Sequence, residues 1–381
     1  MSTIRWSPTT SMWLDGAPGT VILGSPGSGK TFFMLNIAAN CLGMGQKVVA
    51  IDPKDDFKRL YNVNKRIKII DLAKVKPGAM NPFTFLRKYD PVTGKAQEIS
   101  TGTLMTIIEL LCGGLDKNTQ TAIQPIVQDF VTKNRDKGEY VDMMDVANYL
   151  FMKDNDLARN TGTALQIFED DPHGKLLFCD EENPTPLELK GDTSMVISLA
   201  GLKLPGFDKK PSEYDTGEKL TSTLLYLLTT KLNDILYSTT KTPTTFFCDE
   251  AHLLFANPKM ASVIDDYLRL GRSRNCATIL ASQGITSFPE TTSNSVTSKF
   301  IFKSSIDEAE AFLDRFDVSK LDPANAINRD NIISAITNFE KGTCFFIDRL
   351  NRNGVIKIKS IYDIKLLTSN PFEKTEISAD E

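Results

Sequence analysis

Short apolar runs separated by polar loops dominate both ends of the chain. The first is Val21-Ile22-Leu23, followed by a glycine-rich stretch and then by Phe32, Phe33, Leu35, Ile37 and Ala38 among the apolar positions of a helical-looking run. This order predicts strand, loop, helix, with Gly43 and Gly45 as the stop signal. Further runs at Lys47–Asp52, Ile67–Asp71, Met195–Leu199, Thr244–Cys248 and Ala277–Gln283 read as strands. Several lack polar alternation, as in the doubly covered strands of a parallel α/β sheet. Lys299–Phe302, Thr343–Asp348 and Val355–Lys359 read as late strands.

Between Thr84 and Lys190 the period changes. Leu104, Ile107, Ile108 and Leu111 fall at i, i+3, i+4, i+7; Ile123, Ile126, Val127, Phe130 and Val131 repeat the pattern, and Met143, Val146 and Leu150 do so more weakly. The predicted fold class is therefore α/β, a mainly parallel sheet with an all-helical insertion. Residues 1–83 and 191–365 form the α/β domain, 84–190 the all-α insertion and 366–381 a polar C-terminal tail. Met1–Gly19 is a polar lead-in with Trp6 and Trp13. A long helix near Gly217–Tyr237, apolar on several faces, is expected deep in the core.

Composition narrows the class. A formal charge of -4 over 381 residues gives no global attraction to nucleic acid or anionic membranes, so any DNA contact must come from local loops. The six cysteines are scattered without C-x-x-C spacing, which favours a reduced, cytosolic setting over a disulfide framework. No apolar run approaches ~18 residues and no signal-peptide core is present, so a spanning helix is not expected.

The chemistry concentrates in Gly24-Ser25-Pro26-Gly27-Ser28-Gly29-Lys30-Thr31. Strand, G-x-x-x-x-G-K-[ST], helix is the phosphate-binding P-loop in its required context. Its four fixed positions match by accident in roughly one chain of this length in a hundred. The glycines let successive N–H groups turn inward onto phosphates, and the helix N-terminus adds partial positive charge. Lys30 is expected on the β- and γ-phosphates of ATP, and the Thr31 hydroxyl on Mg²⁺.

Thr244–Cys248 ends in Asp249-Glu250-Ala251-His252. An apolar strand closing in Asp-Glu is the Walker B pattern. Asp249 is expected to hold Mg²⁺ through water and Glu250 to polarise the attacking water. Gln283 ends the next strand, which in ATPases of this pattern lies between the Walker A and Walker B strands, with its tip at the γ-phosphate. Arg269, Arg272 and Arg274 crowd one helix end. They suit either a solvated surface or a finger reaching a neighbouring subunit's γ-phosphate, with Arg272 slightly ahead. His252 has two open readings, packing or coupling to the site; His173 reads as surface.

GSPGSGKT, VVAIDPKDDF, MNPF, FFCDEAH, LGRSRN and ILASQ occur in the order of the HerA–FtsK superfamily of P-loop motor ATPases. Within it the chain resembles the TraC-type ATPase of type IV secretion and conjugative transfer. That resemblance implies a RecA-like core, a homo-oligomer (a hexamer around a pore) and ATP hydrolysis at subunit interfaces. It also implies peripheral contact with a membrane-embedded transfer complex at the cytoplasmic face, and DNA or protein as cargo. Family members usually carry an N-terminal docking domain, whereas about twenty residues precede this P-loop strand, so the chain reads as a motor piece or a shorter relative. A translocase of the same superfamily acting outside secretion, and a nucleotide-gated assembly factor with little turnover, are the alternatives. Asp-Glu-Ala-His also suggests a DEAH-box helicase, but Ala281-Ser282-Gln283 replaces the expected Ser-Ala-Thr and an insertion separates the two Walker motifs.

Overall fold

In the computed structural model, residues 6, 19–89, 96–97, 99–134, 140–179, 184–206, 209–238, 242–317, 329–360 and 362–372 are described. Trp13 and the tail segment 373–381 lie outside the described residues. The chain begins with β1 (Gly19–Leu23), α1 (Lys30–Gly43), β2 (Lys47–Asp52) and β3 (Lys68–Asp71). A largely helical block follows: α2 (Pro82–Phe85), a short antiparallel pair β4 (Lys88–Tyr89) and β5 (Ala96–Gln97), then α3 (Thr101–Cys112), α4 (Lys117–Asn134), α5 (Met143–Phe151) and α6 (Asp156–Gln166). The sheet resumes with β6 (Met195–Ser198), α7 (Thr216–Ser238), β7 (Thr244–Cys248), α8 (His252–Phe255), α9 (Pro258–Leu270) and β8 (Cys276–Ser282). It closes with α10 (Glu290–Ser295), β9 (Val296–Phe302), α11 (Ile306–Arg315), α12 (Arg329–Thr337), β10 (Thr343–Ile347), β11 (Asn353–Lys357) and α13 (Ile364–Thr368).

Nine strands form one sheet in the order β11-β10-β9-β1-β8-β7-β2-β6-β3. From β9 to β3 every neighbouring pair is parallel, while β10 runs antiparallel to both β9 and β11 at one edge. As the sequence predicts, β8 lies between β1 and β7. The register sets Leu23 opposite Ser282 and Cys248 opposite Leu280, so three strand tips end at nearly one level. In an open parallel sheet that edge is where ligands bind.

The pleat explains the uninterrupted apolar runs. Ile22, Val48, Ala50, Phe247 and Ile279 face the layer of α1, whose Met34, Ile37, Ala38 and Cys41 are buried against them. Val21, Val49, Ile51, Phe246 and Leu280 point the other way, into the cluster that holds α7 and α9. Neighbours alternate between faces, and both faces are covered by helices. Burying a side chain such as Phe246 or Phe247, neither exposed to solvent, contributes about 2–3 kcal/mol.

Helix α7 is the expected deep helix. Leu220, Leu224, Leu225, Leu227, Leu228 and Leu232 are all buried. Tyr267 on α9 is fully buried, edge-on to Phe246, and donates its hydroxyl to the Thr229 carbonyl of α7 at 2.8 Å. The helical block shares this core: Leu104, Ile107, Ile123, Val127 and Leu150 belong to the same buried cluster as Val21 and Phe246. All six cysteines are free thiols, in keeping with their scattered spacing. Among the described residues, no helix is long and apolar enough to cross a membrane.

Candidate active site

Four adjacent strands, β1, β8, β7 and β2, deliver the chemistry from their C-terminal ends. The loop Gly24–Gly29 leaves β1, and α1 begins at Lys30. At Gly24 (φ 151°) an added Cβ would stand 2.8 Å from both Phe302 Cβ and Ser28 Oγ. At Gly29 (φ 110°) it would approach the Gly342 nitrogen at 3.1 Å. Both positions therefore require glycine. The loop is braced from outside, by Ser25 N–H donating to the Lys303 carbonyl (2.8 Å) and Gly342 N–H donating to the Ser28 carbonyl (3.0 Å).

Lys30 is buried, and its ammonium donates to the Gly24 carbonyl and, at 3.1 Å, to the Ser25 carbonyl. Burial lowers its pKa; the nearby Asp249 and Glu250 carboxylates only partly offset this, and the Lys54 ammonium adds to the lowering. Thr31 Oγ1 donates to Asp249 Oδ2 at 2.7 Å. Asp249 is buried, which pushes its carboxyl above the usual range despite the Thr31 hydrogen bond.

These residues fit a nucleoside triphosphate with its cation. Ser28 Oγ is buried without a hydrogen-bond partner among the described residues. An added Cβ on the Gly27 backbone would meet nothing within 4 Å. The Thr31 hydroxyl and Asp249 carboxylate form a hard-oxygen pair, and Mg²⁺ completes such a site with phosphate oxygens and water rather than with a protein cage. Among the described residues, no cluster of three or more His, Cys, Asp or Glu suited to a metal occurs.

Glu250 takes a positive φ of 65°, uncommon for a side-chain-bearing residue, directly after the Walker B aspartate. Its N–H donates to Asp249 Oδ1 (3.1 Å), and the next amide, Ala251 N–H, donates to the Ala281 carbonyl of β8 (2.7 Å). The carboxylate is nearly enclosed. Gln283 Nε2 reaches Oε1 at 3.2 Å and Oε2 at 3.5 Å; His252 Nδ1 lies 3.4 Å from Oε2; Lys54 Nζ forms an ion pair with Oε1. Burial alone would raise the Glu250 pKa, but hydrogen bonds from His252 and Lys54 and the Lys54 charge bring it down to about 2.

The AAA-like domain family matches residues 14–369. The chain belongs to that family. Its fold is that of "VirB4 of Thermoanaerobacter pseudethanolicus", at 18% identity over 91% of this chain and 92% of that one, with a TM-score of 0.70. The "bacterial conjugative coupling protein TrwBdeltaN70" is similar at 13% identity in its unbound monoclinic form (90% and 84% of the two chains, TM-score 0.56). Its trigonal form with sulphate is similar at 12% identity (94% and 95%, TM-score 0.54). No curated protein matches the sequence. The superfamily resemblance read from the motif order is thus borne out at the level of family and fold.

Within this AAA-like domain, Gly24–Thr31, Asp249, Glu250 and Gln283 come together as the sequence predicts, and His252 joins them at Glu250 rather than serving packing alone. The arginines do not. Arg269, in the last turn of α9, and Arg272 and Arg274, on the turn between α9 and β8, are all exposed; on that turn Asn275 supplies the carbonyl that receives Thr244 N–H at the start of β7. That turn lies at the opposite edge of the sheet, about 20 Å away along the seven-residue β8 at ~3.3 Å per residue. Arg269 pairs with Asp266 at 3.0 Å.

Two further residues, to which the sequence assigns no role, reach the site: Asp52 and Lys54. Asp52 is buried and accepts from the N–H groups of Phe57 (2.7 Å), Asp56 (3.2 Å) and Lys54 (3.3 Å). Burial pushes its pKa up to about 7 in spite of those bonds. The available signal was position: the loop follows a buried parallel strand at the ligand-binding edge.

Proposed function

We propose that this chain is an ATP-hydrolysing motor subunit that energises type IV secretion or conjugative transfer. One observation carries the hydrolytic part: a buried glutamate held by a glutamine from the neighbouring strand, beside a Thr–Asp pair at the root of a P-loop. In the proposed reaction, the N–H groups of Gly27–Thr31 cradle the phosphates and Lys30 turns its ammonium onto the β- and γ-oxygens. Thr31 and Asp249 would hold Mg²⁺, which when bound would supply positive charge against that developing on the transferred phosphoryl group. Glu250 takes the proton of the attacking water, and Gln283 orients that water against the γ-phosphate.

The transfer part of the reading rests on the shared fold with VirB4 and with the TrwB coupling protein, together with the motif order. The exposed arginines lie too far from their own phosphate cradle to serve it. That placement supports Arg272, or its neighbours Arg269 and Arg274, acting on an adjacent subunit of a homo-oligomer, for which a hexamer is the expected form. Peripheral docking at the inner face of the membrane and a DNA or protein cargo complete the proposal. The test is mass photometry with and without ATP, then phosphate release with and without DNA. A nucleotide-dependent ring with Mg²⁺-dependent turnover is expected; a monomer without turnover refutes the motor reading, and strong DNA stimulation without any transfer complex favours a translocase outside secretion.

A further inference from the structure

The Asp52–Phe57 loop has a braced backbone and carries a half-exposed lysine. Asp52 ties down three of its amides, and Phe57, fully buried, packs at 5.7 Å against Phe247 of the Walker B strand. The Lys54 side chain, by contrast, is half-exposed, while the Glu250 carboxylate it pairs with is only 6% exposed. A lysine stem of four methylenes can therefore swing from a stationary root.

The balance of charge around that ammonium is unusual. The Lys54 charge reaches Lys30, and both ammonium groups feel the carboxylates of Asp249 and Glu250. Lys54 Nζ sits on Glu250, whose chain neighbour Asp249 binds Thr31 at the mouth of the phosphate cradle. A carboxylate engaged by an ammonium is a poor proton acceptor, so Glu250 must lose Lys54 before it can take a proton from water. A γ-phosphate placed beside Thr31 offers Lys54 a stronger, more highly charged partner.

We infer that Lys54 is a latch on Glu250: it engages the carboxylate in the arrangement described above, and exchanges it for the γ-phosphate of ATP, which leaves Glu250 to Gln283 and the attacking water. Lys54 is then a residue that reports a triphosphate to the base, and ADP, which lacks the γ-phosphate, leaves the latch in place. This inference rests on the ATPase reading above and adds to it a means of distinguishing ATP from ADP.

The test is a double-mutant cycle on nucleotide affinity, measured by calorimetry with Mg²⁺ and either ATPγS or ADP, so that hydrolysis is not the readout. Lys54→Met should weaken ATPγS about tenfold, the loss of one charge-assisted contact, and leave ADP unchanged. Lys54→Arg should retain most of the preference for ATPγS. Glu250→Gln, which removes the competing partner, should tighten ATPγS by about three- to tenfold when Lys54 is present and not when it is Met. ADP affinity serves as the control for folding in every variant. If wild type and all variants bind ADP but the ATPγS-to-ADP ratio stays within twofold across the cycle, the latch is wrong and the ATPase reading stands. If wild type binds neither nucleotide, the ATPase reading falls and the latch with it.

Discussion

Replacing Glu250 by Gln keeps the shape of the side chain but removes its charge and the proton acceptor. In the structure, Thr31 and Asp249 bind each other without Glu250, and Lys30 is held by Gly24 and Ser25. Nucleotide binding should therefore survive. Loss of a general base slows the chemical step by about 10²–10⁴-fold, or roughly 3–5 kcal/mol of barrier. The fold should tolerate the change at a moderate cost: the lost ion pair joins a buried carboxylate to a half-exposed lysine, whose ammonium turns back to water, and a carboxyl held at about 2 against 4.5 sets an upper bound of about 3 kcal/mol. The assay pairs single-turnover phosphate release with equilibrium binding of Mg²⁺-ATP and a thermal melt. Turnover should collapse while affinity holds or tightens and the melt stays cooperative, lowered by several degrees at most. Equal losses in affinity and turnover would refute the assignment and move Glu250 to cation binding or structure.

Lys30→Ala should bring hydrolysis to background with an unchanged circular dichroism spectrum, because the ammonium bonds only to the loop that it closes; turnover near wild type would overturn the P-loop assignment. Asp52→Asn should reveal a pH-dependent stability. The native carboxyl titrates near pH 7 against 3.8 unfolded, so the folded state holds its proton more tightly. The penalty for ionising it is absent below about pH 4, grows as pH rises to about 7 and is constant above, with an upper bound on the order of 4 kcal/mol. Wild type should therefore lose stability relative to Asp52→Asn between pH 4 and pH 7 in denaturant melts, and a constant difference would place the proton elsewhere.

Much of this architecture was legible because β-strands buried on both faces write themselves as unbroken apolar runs. Thr244–Cys248 was read to the residue, and Cys276–Ser282 and Thr216–Ser238 to within one. The P-loop, Asp249, Glu250 and Gln283 were legible because each ends or follows such a run. Lys54 and Asp52 were not: a polar loop of Pro, Lys and Asp carries no period, and only the crossover that sets β2 beside β7 brings Lys54 onto Glu250. The hairpin β4–β5 was missed for a related reason, since strands of two residues hold no alternation to read. The helical block's amphipathic spacing was clear, but not that its apolar faces would merge with the core of the sheet.

A motor of this kind requires two subunits to make one site. Arg272→Ala keeps an intact phosphate cradle, and Lys30→Ala keeps an intact arginine; each alone should be nearly inactive. Phosphate release measured on wild type should rise per subunit as protein concentration rises and the ring forms. Mixing the two variants should restore part of that activity, because some interfaces then pair a working cradle with a working arginine. If activity per subunit is flat with concentration and the mixture stays inactive, with the same outcome for Arg269→Ala and Arg274→Ala, the interfacial mechanism is contradicted.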